Sequence, residues 1–160
     1  MARKVFFSFH YQRDVRRVVQ VRNSWLVRSK GEAQPFYDKA QWEAVKRSGI
    51  EKWIDNQLSG TSVTVVLIGA KTYDRPWVRH EIKRSYELGK GILGIYIHNV
   101  KDPNMGTDTK GRNPLDRWSL KRGGVDVPFS RIYKTYDWVT DNGYTNLSKW
   151  IEDAAKAAGR

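Results

Sequence analysis

The sequence contains no cysteine. Disulfides, thiolate-ligated zinc, iron–sulfur clusters and thiol catalysis are therefore excluded. Histidine is scarce as well. His10, His80 and His98 stand far apart and form no His-x-x-x-His pair. The ligand spacings of structural metal sites are missing, so no metal is expected. No apolar run approaches the roughly 20 residues of a membrane-spanning helix. Met1-Ala2-Arg3-Lys4 leads straight into a strand-like run, without the apolar stretch or small-residue cleavage site of a signal peptide. A cytoplasmic protein with no membrane contact is expected. GxGxxG and GxxxxGKS/T patterns are also absent, and no serine–histidine–acid order stands out. That speaks against Rossmann-type cofactors, P-loop nucleotide hydrolysis and triad hydrolases.

What is present fits one domain over residues 1–160, long enough to bury a core. Hydrophobic residues at 39% and charged residues at 29% describe a globular chain, not a disordered one. The net charge is +12, from 29 basic and 17 acidic residues. Such a surface favours nucleic acid, acidic membranes or phosphate-bearing ligands, and a merely solvated basic surface accounts for it equally well. The basic residues are spread along the chain and form no dense arm, so nucleic acid is not the expected partner. Of the seven tryptophans, Trp25, Trp53 and Trp150 fall on helical core stripes. Packing explains those three better than base stacking does.

Val5-Phe6-Phe7-Ser8-Phe9 is apolar on both alternating faces, as in a central strand covered on both sides. A helix is predicted from Gln12 to about Arg28, with Gly31 as its stop. Pro35–Asp38 reads as a short second strand, and Ile50 to Leu58 as a helix. Ser62 to Ile68 is the strongest strand, rich in β-branched residues. A helix from about Arg75 to Leu88 follows, with Asp74 as its cap, Pro76 in its first turn and Tyr86 on its core stripe. Ile92–Ile97 is a fourth strand and Ile132–Tyr136 a fifth, and the last helix spans about Asn146 to Ala157. Lys101 to Ser130 shows no period and reads as a long functional or mobile loop.

Alternation of this kind predicts a flavodoxin-like α/β fold. It has a five-stranded, mostly parallel sheet in the order 2-1-3-4-5, with helices on both faces. The switch point lies between strands 1 and 3 at their C-terminal ends, where ligands bind. Ser8-Phe9-His10-Tyr11 and Ile68 through Glu81 should meet there. His10 then either contacts a ligand or is an ordinary loop histidine. His80 cannot share a helix face with Glu81 and reads as exposed or packed.

Trp77 and Glu81 lie four residues apart and project from the same side of their helix. Glu81 sits about 100° from the stripe of Val78, Ile82 and Tyr86, at the edge of the buried face. A carboxylate in a half-buried crevice beside an aromatic ring can stabilise a cationic sugar transition state. The alternative is a surface glutamate paired with Arg84 or Arg79, and spacing alone favours that alternative.

Several runs together carry a family likeness. They are Val5-Phe6-Phe7-Ser8-Phe9-His10-Tyr11-Gln12, Val21-Arg22-Asn23-Ser24-Trp25, Thr61 through Gly69, and Trp77-Val78-Arg79-His80-Glu81-Ile82. Lys110-Gly111-Arg112-Asn113-Pro114-Leu115-Asp116 and Val125 through Tyr144 complete the set. Over nearly the whole chain this resembles the TIR-like domain of the Thoeris anti-phage defence system. The resemblance implies a flavodoxin-like TIR fold and an enzyme that consumes NAD⁺ as substrate, with no permanently bound cofactor. It implies release of nicotinamide and formation of a cyclic ADP-ribose isomer that activates a separate effector protein after a phage trigger. A homo-oligomer is a further implication. Glu81 matches the family's catalytic glutamate. Phe6 and Asn113 match positions near the nucleotide, and Asn23 belongs to a matching motif; in the pocket so expected, Phe6, Tyr11 and Trp77 supply aromatic walls and His10, at the end of strand 1, is a candidate ligand contact. The chain departs from better-known TIR domains in lacking an evident BB-loop motif after strand 2.

Two rival readings stay open at this level. One is a non-catalytic TIR interaction module, the other a basic nucleic-acid binder. A receiver domain shares the fold class, but strands 1 and 3 end in Phe9-His10 and Ile68-Gly69, without the acidic cluster that a phosphorylatable site needs.

Overall fold

Every residue of Val63–Ile68 (β3) is buried. Such a strand needs partners on both edges and cover on both faces. The computed structural model, which describes residues 3–29, 32–33 and 49–160, supplies both. β3 pairs in parallel with Lys4–Ser8 (β1) on one side and Gly91–Tyr96 (β4) on the other. Glu32–Ala33 (β2) extends the sheet beyond β1, and Thr135–Asp137 (β7) extends it beyond β4. A separate antiparallel hairpin, Ser119–Arg122 (β5) and Val125–Pro128 (β6), precedes β7. The main sheet therefore runs β2-β1-β3-β4-β7, the expected 2-1-3-4-5 order with a hairpin inserted before the last strand. The expected strand at Pro35–Asp38 and the helix stop at Gly31 lie outside the described residues.

Alternate strand residues point to opposite faces, and the helices divide accordingly. Tyr11–Ser29 (α1) and Gly143–Ala157 (α5) cover one face, where Val18, Trp25 and Ile151 meet Phe7, Val65 and Ile95. Ile50–Leu58 (α2) and Pro76–Glu87 (α3) cover the other. There Ile54 and Leu58 pack on Phe6, while Val78 and Ile82 pack on Val66 and Ile68. Burying each of these large side chains contributes about 1.5–3 kcal/mol.

The structure revises several expectations. Asp74 does not cap α3. It belongs to a 3₁₀ turn, Thr72–Asp74, and its carboxylate accepts from Arg117 at 3.0 Å, so Arg75 takes the cap position without a side-chain bond. Tyr86 is 40% exposed, and its ring leans on Phe129, with 5.2 Å between centroids. The fifth strand of the main sheet starts at Thr135, not Ile132, because Phe129–Ile132 closes into a one-turn helix (α4).

The largest revision concerns residues 101–130, which are not structureless. An Asp102–Gly106 bridge, a 3₁₀ turn at Pro114–Arg117 and the β5–β6 hairpin organise them. Their first part is fastened to α1 by Arg17, which has no exposed surface. Its guanidinium donates to Val100 O at 2.9 Å, Gly106 O at 2.9 Å and Asp14 Oδ1 at 3.1 Å. Arg13 adds a two-pronged pair with Asp108, at 3.0 and 3.1 Å. Bonds of this sort link a loop to a helix without leaving a periodic sequence pattern. The packing here is close: a Cβ on Gly69 would collide with the Asp14 carboxylate, so glycine lets β3 exit over that group.

Arg17→Met leaves the Asp14 carboxylate buried without its partner and strips two carbonyls of their donor. The expected loss is about 3–5 kcal/mol of stability. Denaturant titration measures it, and a loss below about 1 kcal/mol contradicts the assigned role of this network.

Candidate active site

Glu81 is only 8% exposed, so the sequence-level picture of a residue at the edge of the buried face understates its depth. The rival picture of a surface glutamate paired with an arginine fails. Arg84 pairs with Asp55 at 2.8 Å and Glu87 at 3.7 Å, and Arg79 lies 5.9 Å from the Trp118 ring. Glu81 instead faces the sheet in company with Val78, Ile82 and Ser85. The sheet receives it at a polar spot. Ser8 in β1 and Thr64 in β3 point to the same face as Phe6, in registers Phe6↔Thr64 and Ser8↔Val66.

Burial pushes the Glu81 carboxyl from its ordinary 4.5 up to about 8. The Lys90 ammonium and the Ser8 hydroxyl pull it back towards ionisation. Ser8 Oγ acts at longer range than a formed hydrogen bond, having no such partner among the described residues. Lys90 is 2% exposed, and burial brings its amine from 10.5 down to about 7 against the pull of Glu81. Nζ donates to Thr64 Oγ1 at 2.7 Å, and Thr64 Oγ1 and Ser85 Oγ are 2.7 Å apart. Ser85 Oγ in turn donates to the Glu81 carbonyl at 2.7 Å.

Aromatic residues wall this spot. Phe6 is buried with Ile54 and Leu58, and Trp77 and Trp53 pack against them. Of the expected site residues, the structure thus joins Phe6 and Trp77 in one cluster and sets Glu81 on the same face of the sheet, one helical turn from Trp77. His10 and Tyr11 sit at the C-terminal end of β1, where the ring of Tyr11 lies 6.0 Å from that of Phe9. His10 is half-buried; burial first, then the Arg75 guanidinium, hold its pKa below the usual imidazole value. Asn23 is exposed on α1, which packs on the opposite face of the sheet from Glu81. Asn113 is buried in a local cap: Oδ1 accepts from Leu115 N at 3.0 Å and Nδ2 donates to Thr135 Oγ1 at 2.9 Å. His80 is half-buried, with Nε2 unpartnered among the described residues.

Lys90 and Thr64 are the polar neighbours that sequence reasoning missed. A signal existed. Gly89 adopts φ +68°, donates to Tyr86 O at 3.0 Å, and is followed by Lys90 N donating to Ser85 O at 3.0 Å. This is a glycine-terminated helix end that turns the next residue back onto the last turn. A lysine stands where an apolar residue is usual. Lys90 also borders a cavity of about 440 Å³ between the end of α3, β4, the hairpin and α5, lined in part by Tyr133, Arg122 and Trp150. Glu81 does not line that cavity. Among the described residues no group of three or more His, Asp and Glu side chains is placed to hold a metal ion, and no helix is long and apolar enough to cross a membrane.

A 2-1-3-4-5 parallel sheet carrying a buried glutamate on the helix after β3, against the end of β1, defines a TIR-like α/β domain. A family model described as "Thoeris protein ThsB, TIR-like domain" matches residues 6–102, well over half of the chain. A Bacillus cereus (strain MSX-D12) protein named "Putative cyclic ADP-D-ribose synthase ThsB1" is 34% identical across 94% of this chain and 100% of its own length. The chain belongs to the ThsB TIR-like family of Thoeris proteins. The IL-17 receptor B SEFIR domain superposes with a TM-score of 0.54 over 98% of this chain and 97% of its own, at 14% identity, a likeness of fold alone.

The depth of Glu81 has a consequence for stability. Its folded pKa is about 8 against 4.5 when free, so between those values the folded state holds a proton that the unfolded state has lost. Stability from this group is therefore present at low pH and falls as pH rises, by at most about 1.4 kcal/mol per unit. Glu81→Gln removes that slope. The melting temperature of the variant relative to wild type should rise between pH 5 and pH 8, and a pH-independent difference contradicts the buried placement.

Proposed function

We propose that this protein is a cytoplasmic signalling enzyme of anti-phage defence, built as a single TIR-like domain over residues 1–160. It cleaves NAD⁺ at the nicotinamide glycosidic bond and cyclises the ADP-ribose. The observation that carries the reading is a buried glutamate facing Ser8 at the switch-point end of the sheet, on the face that also carries the Phe6, Trp53 and Trp77 cluster, in a chain whose 34% identical relative is named for cyclic ADP-ribose synthesis.

In this reading Glu81 accepts hydrogen bonds from the hydroxyls of the nicotinamide ribose. As the C1′–N bond breaks, nicotinamide leaves with the bonding electrons and the ribose gains oxocarbenium character. A carboxylate in a water-poor crevice offsets that positive charge more strongly than one in water. A hydroxyl of the same ADP-ribose then attacks C1′ and gives up its proton, closing the ring. Attack by water instead yields linear ADP-ribose. Phe6 and Trp77 exclude water and favour the intramolecular attack, and His10 and Tyr11 border the pocket at the end of β1; Asn113 takes part only if it exchanges its bonds to Leu115 and Thr135, and Asn23, on the opposite face, takes no part within one copy of the chain. The product activates a separate effector protein, a phage component provides the trigger, and self-association completes the assembly.

Purified protein is incubated with NAD⁺, with and without lysate of phage-infected cells, and nicotinamide and nucleotide masses are followed. Wild type should release nicotinamide and form a product lighter than linear ADP-ribose by one water. Glu81→Gln should lower release by roughly 10²–10³-fold. Equal release by both proteins refutes the role of Glu81. No release from triggered wild type favours a non-catalytic interaction module.

A further inference from the structure

The helix that presents Glu81 ends in a way that delivers a second charge beneath it. Gly89 takes the left-handed conformation, and the Lys90 N–H bonds back to Ser85 O at 3.0 Å. That geometry swings the residue after the glycine under the last turn of the helix. Ser85 is one turn beyond Glu81, so the side chain of Lys90 enters the layer between α3 and the sheet. The hydrogens along the chain of groups have a single consistent direction. Ser85 Oγ donates to Glu81 O, so Thr64 Oγ1 donates to Ser85 Oγ and accepts from Lys90 Nζ. Nζ spends one of its three hydrogens on Thr64, and the Phe6 ring centroid lies 5.7 Å from it.

An ammonium is a costly occupant of such a place, and apolar residues normally fill it. Its cost is offset in part by a countercharge, and the one that acts on it is Glu81. We propose, resting on the reading of Glu81 as the NAD⁺-cleaving carboxylate, that Lys90 is a positioning residue of the same site: clamped on Thr64 in the layer beneath Glu81, it biases Glu81 towards the charged form that the ribose and its oxocarbenium state require. Lys90 touches no substrate in this arrangement and acts through Glu81.

The other charged groups are placed so as not to replace it. On α3, Arg84 is engaged by Asp55 and Glu87. From the C-terminus, Arg160 donates to Gly89 O at 3.0 Å and Leu88 O at 2.9 Å, and its charge opposes that of Lys90. From β1, only the Ser8 hydroxyl acts on Glu81. Arg122, Lys134 and Asp153 line the cavity on the far side of Lys90, and Tyr86 and Tyr133 line it with them.

The test measures Glu81 directly as well as through turnover. Protein labelled with ¹³C at glutamate carboxyls is titrated by NMR, with Glu81→Gln identifying the resonance. The same proteins are assayed for nicotinamide release from NAD⁺ across pH 5.5–9.5. Lys90→Met should move the Glu81 midpoint up by about 1–3 pH units. It should shift the rising limb of the rate profile alkaline by the same amount, with KM for NAD⁺ less affected than kcat. Lys90→Arg, which keeps the charge, should largely restore both. Thr64→Val, which frees Nζ but leaves the ammonium, should give a smaller shift in the same direction, and it carries the test if Lys90→Met does not fold. An unchanged Glu81 midpoint in the Lys90 and Thr64 variants overturns the inference, even if they melt earlier, since that is the signature of a merely structural lysine. The two readings fail separately. Equal turnover by wild type and Glu81→Gln sinks the catalytic reading while the NMR shift still reports the pairing; a silent Glu81→Gln with unmoved midpoints sinks only the role of Lys90.

Discussion

A carboxylate set between a helix and the aliphatic face of a parallel sheet has lost most of its hydration, and little in this fold replaces it. Ser8 and Thr64 interrupt an otherwise apolar face, and one lysine returns beneath the helix. Those groups fall short of full compensation, which is why burial still dominates and Glu81 is pushed up to about 8. An under-solvated carboxylate of this kind gains most when positive charge arrives from outside. In water the same group would already be satisfied, and a developing oxocarbenium would find it less responsive. On the proposed reading, the arrangement accepts lower stability of the resting protein in exchange for a strong response to the cationic ribose.

The opposite face of the sheet solves a similar problem the other way. Arg17 and Asp14 are also without exposure, yet Arg17 meets two backbone carbonyls as well as the Asp14 carboxylate. Here the buried charges are spent on structure. They fasten residues 97–108 to α1 and define the path of the chain as it leaves β4. Compensation is incomplete here too: Asp14 Oδ2 has no hydrogen-bond partner among the described residues, and burial holds the Asp14 carboxyl above its ordinary value. The two buried acidic sites of this domain thus differ in how their cation is used: Arg17 bonds its carboxylate and two loop carbonyls directly, whereas Lys90 is clamped on Thr64 and acts on Glu81 through space.

This contrast also accounts for how much could be read from the chain alone. β3 and α3 were legible because their signals are periodic: an unbroken β-branched run, and Val78, Ile82 and Tyr86 at helical spacing, although Tyr86 proves to lie at the exposed margin with Ser85 in its place on the buried face. The switch point followed from the alternation of elements, and with it the meeting of β1 with the start of α3. The depth of Glu81 was not legible. Helical spacing put it 100° from the stripe, and only the register Ser8↔Val66 supplies polar groups that widen the buried face to include it. Lys90 was hidden for a related reason. A lysine at a helix C-terminus reads as a favourable surface charge, and the inward turn appears only once Gly89 is seen to be left-handed. Residues 101–130 defeated pattern reading because side-chain caps such as Asp102 and Asn113, together with Arg17 from another element, carry their hydrogen bonds. The strand at β7 was displaced for the opposite reason: Ile132 and Tyr133 mimic strand alternation while packing around Phe129.

The net charge of +12 gains meaning from the same accounting. Many cations are already committed. Arg3 pairs with Glu152, Arg13 with Asp108 and Arg84 with Asp55, while Arg112 and Arg117 both lie over Tyr73, at 4.1 and 4.0 Å. The excess is therefore not an even coat available to any polyanion. At the switch point it is graded. Arg75 bears on His10 near the start of α3, while the negative group of the crevice, Glu81, stands about 9 Å further along the helix axis. A dinucleotide whose pyrophosphate is anionic and whose nicotinamide end is cationic carries the complementary gradient. On the proposed reading, a molecule that entered in the reverse sense would set its pyrophosphate against the buried carboxylate. That like-charge contact is worse in a dry crevice than in water. Orientation of the substrate then follows from the placement of a few charges around one helix, before any contact with the bases is considered.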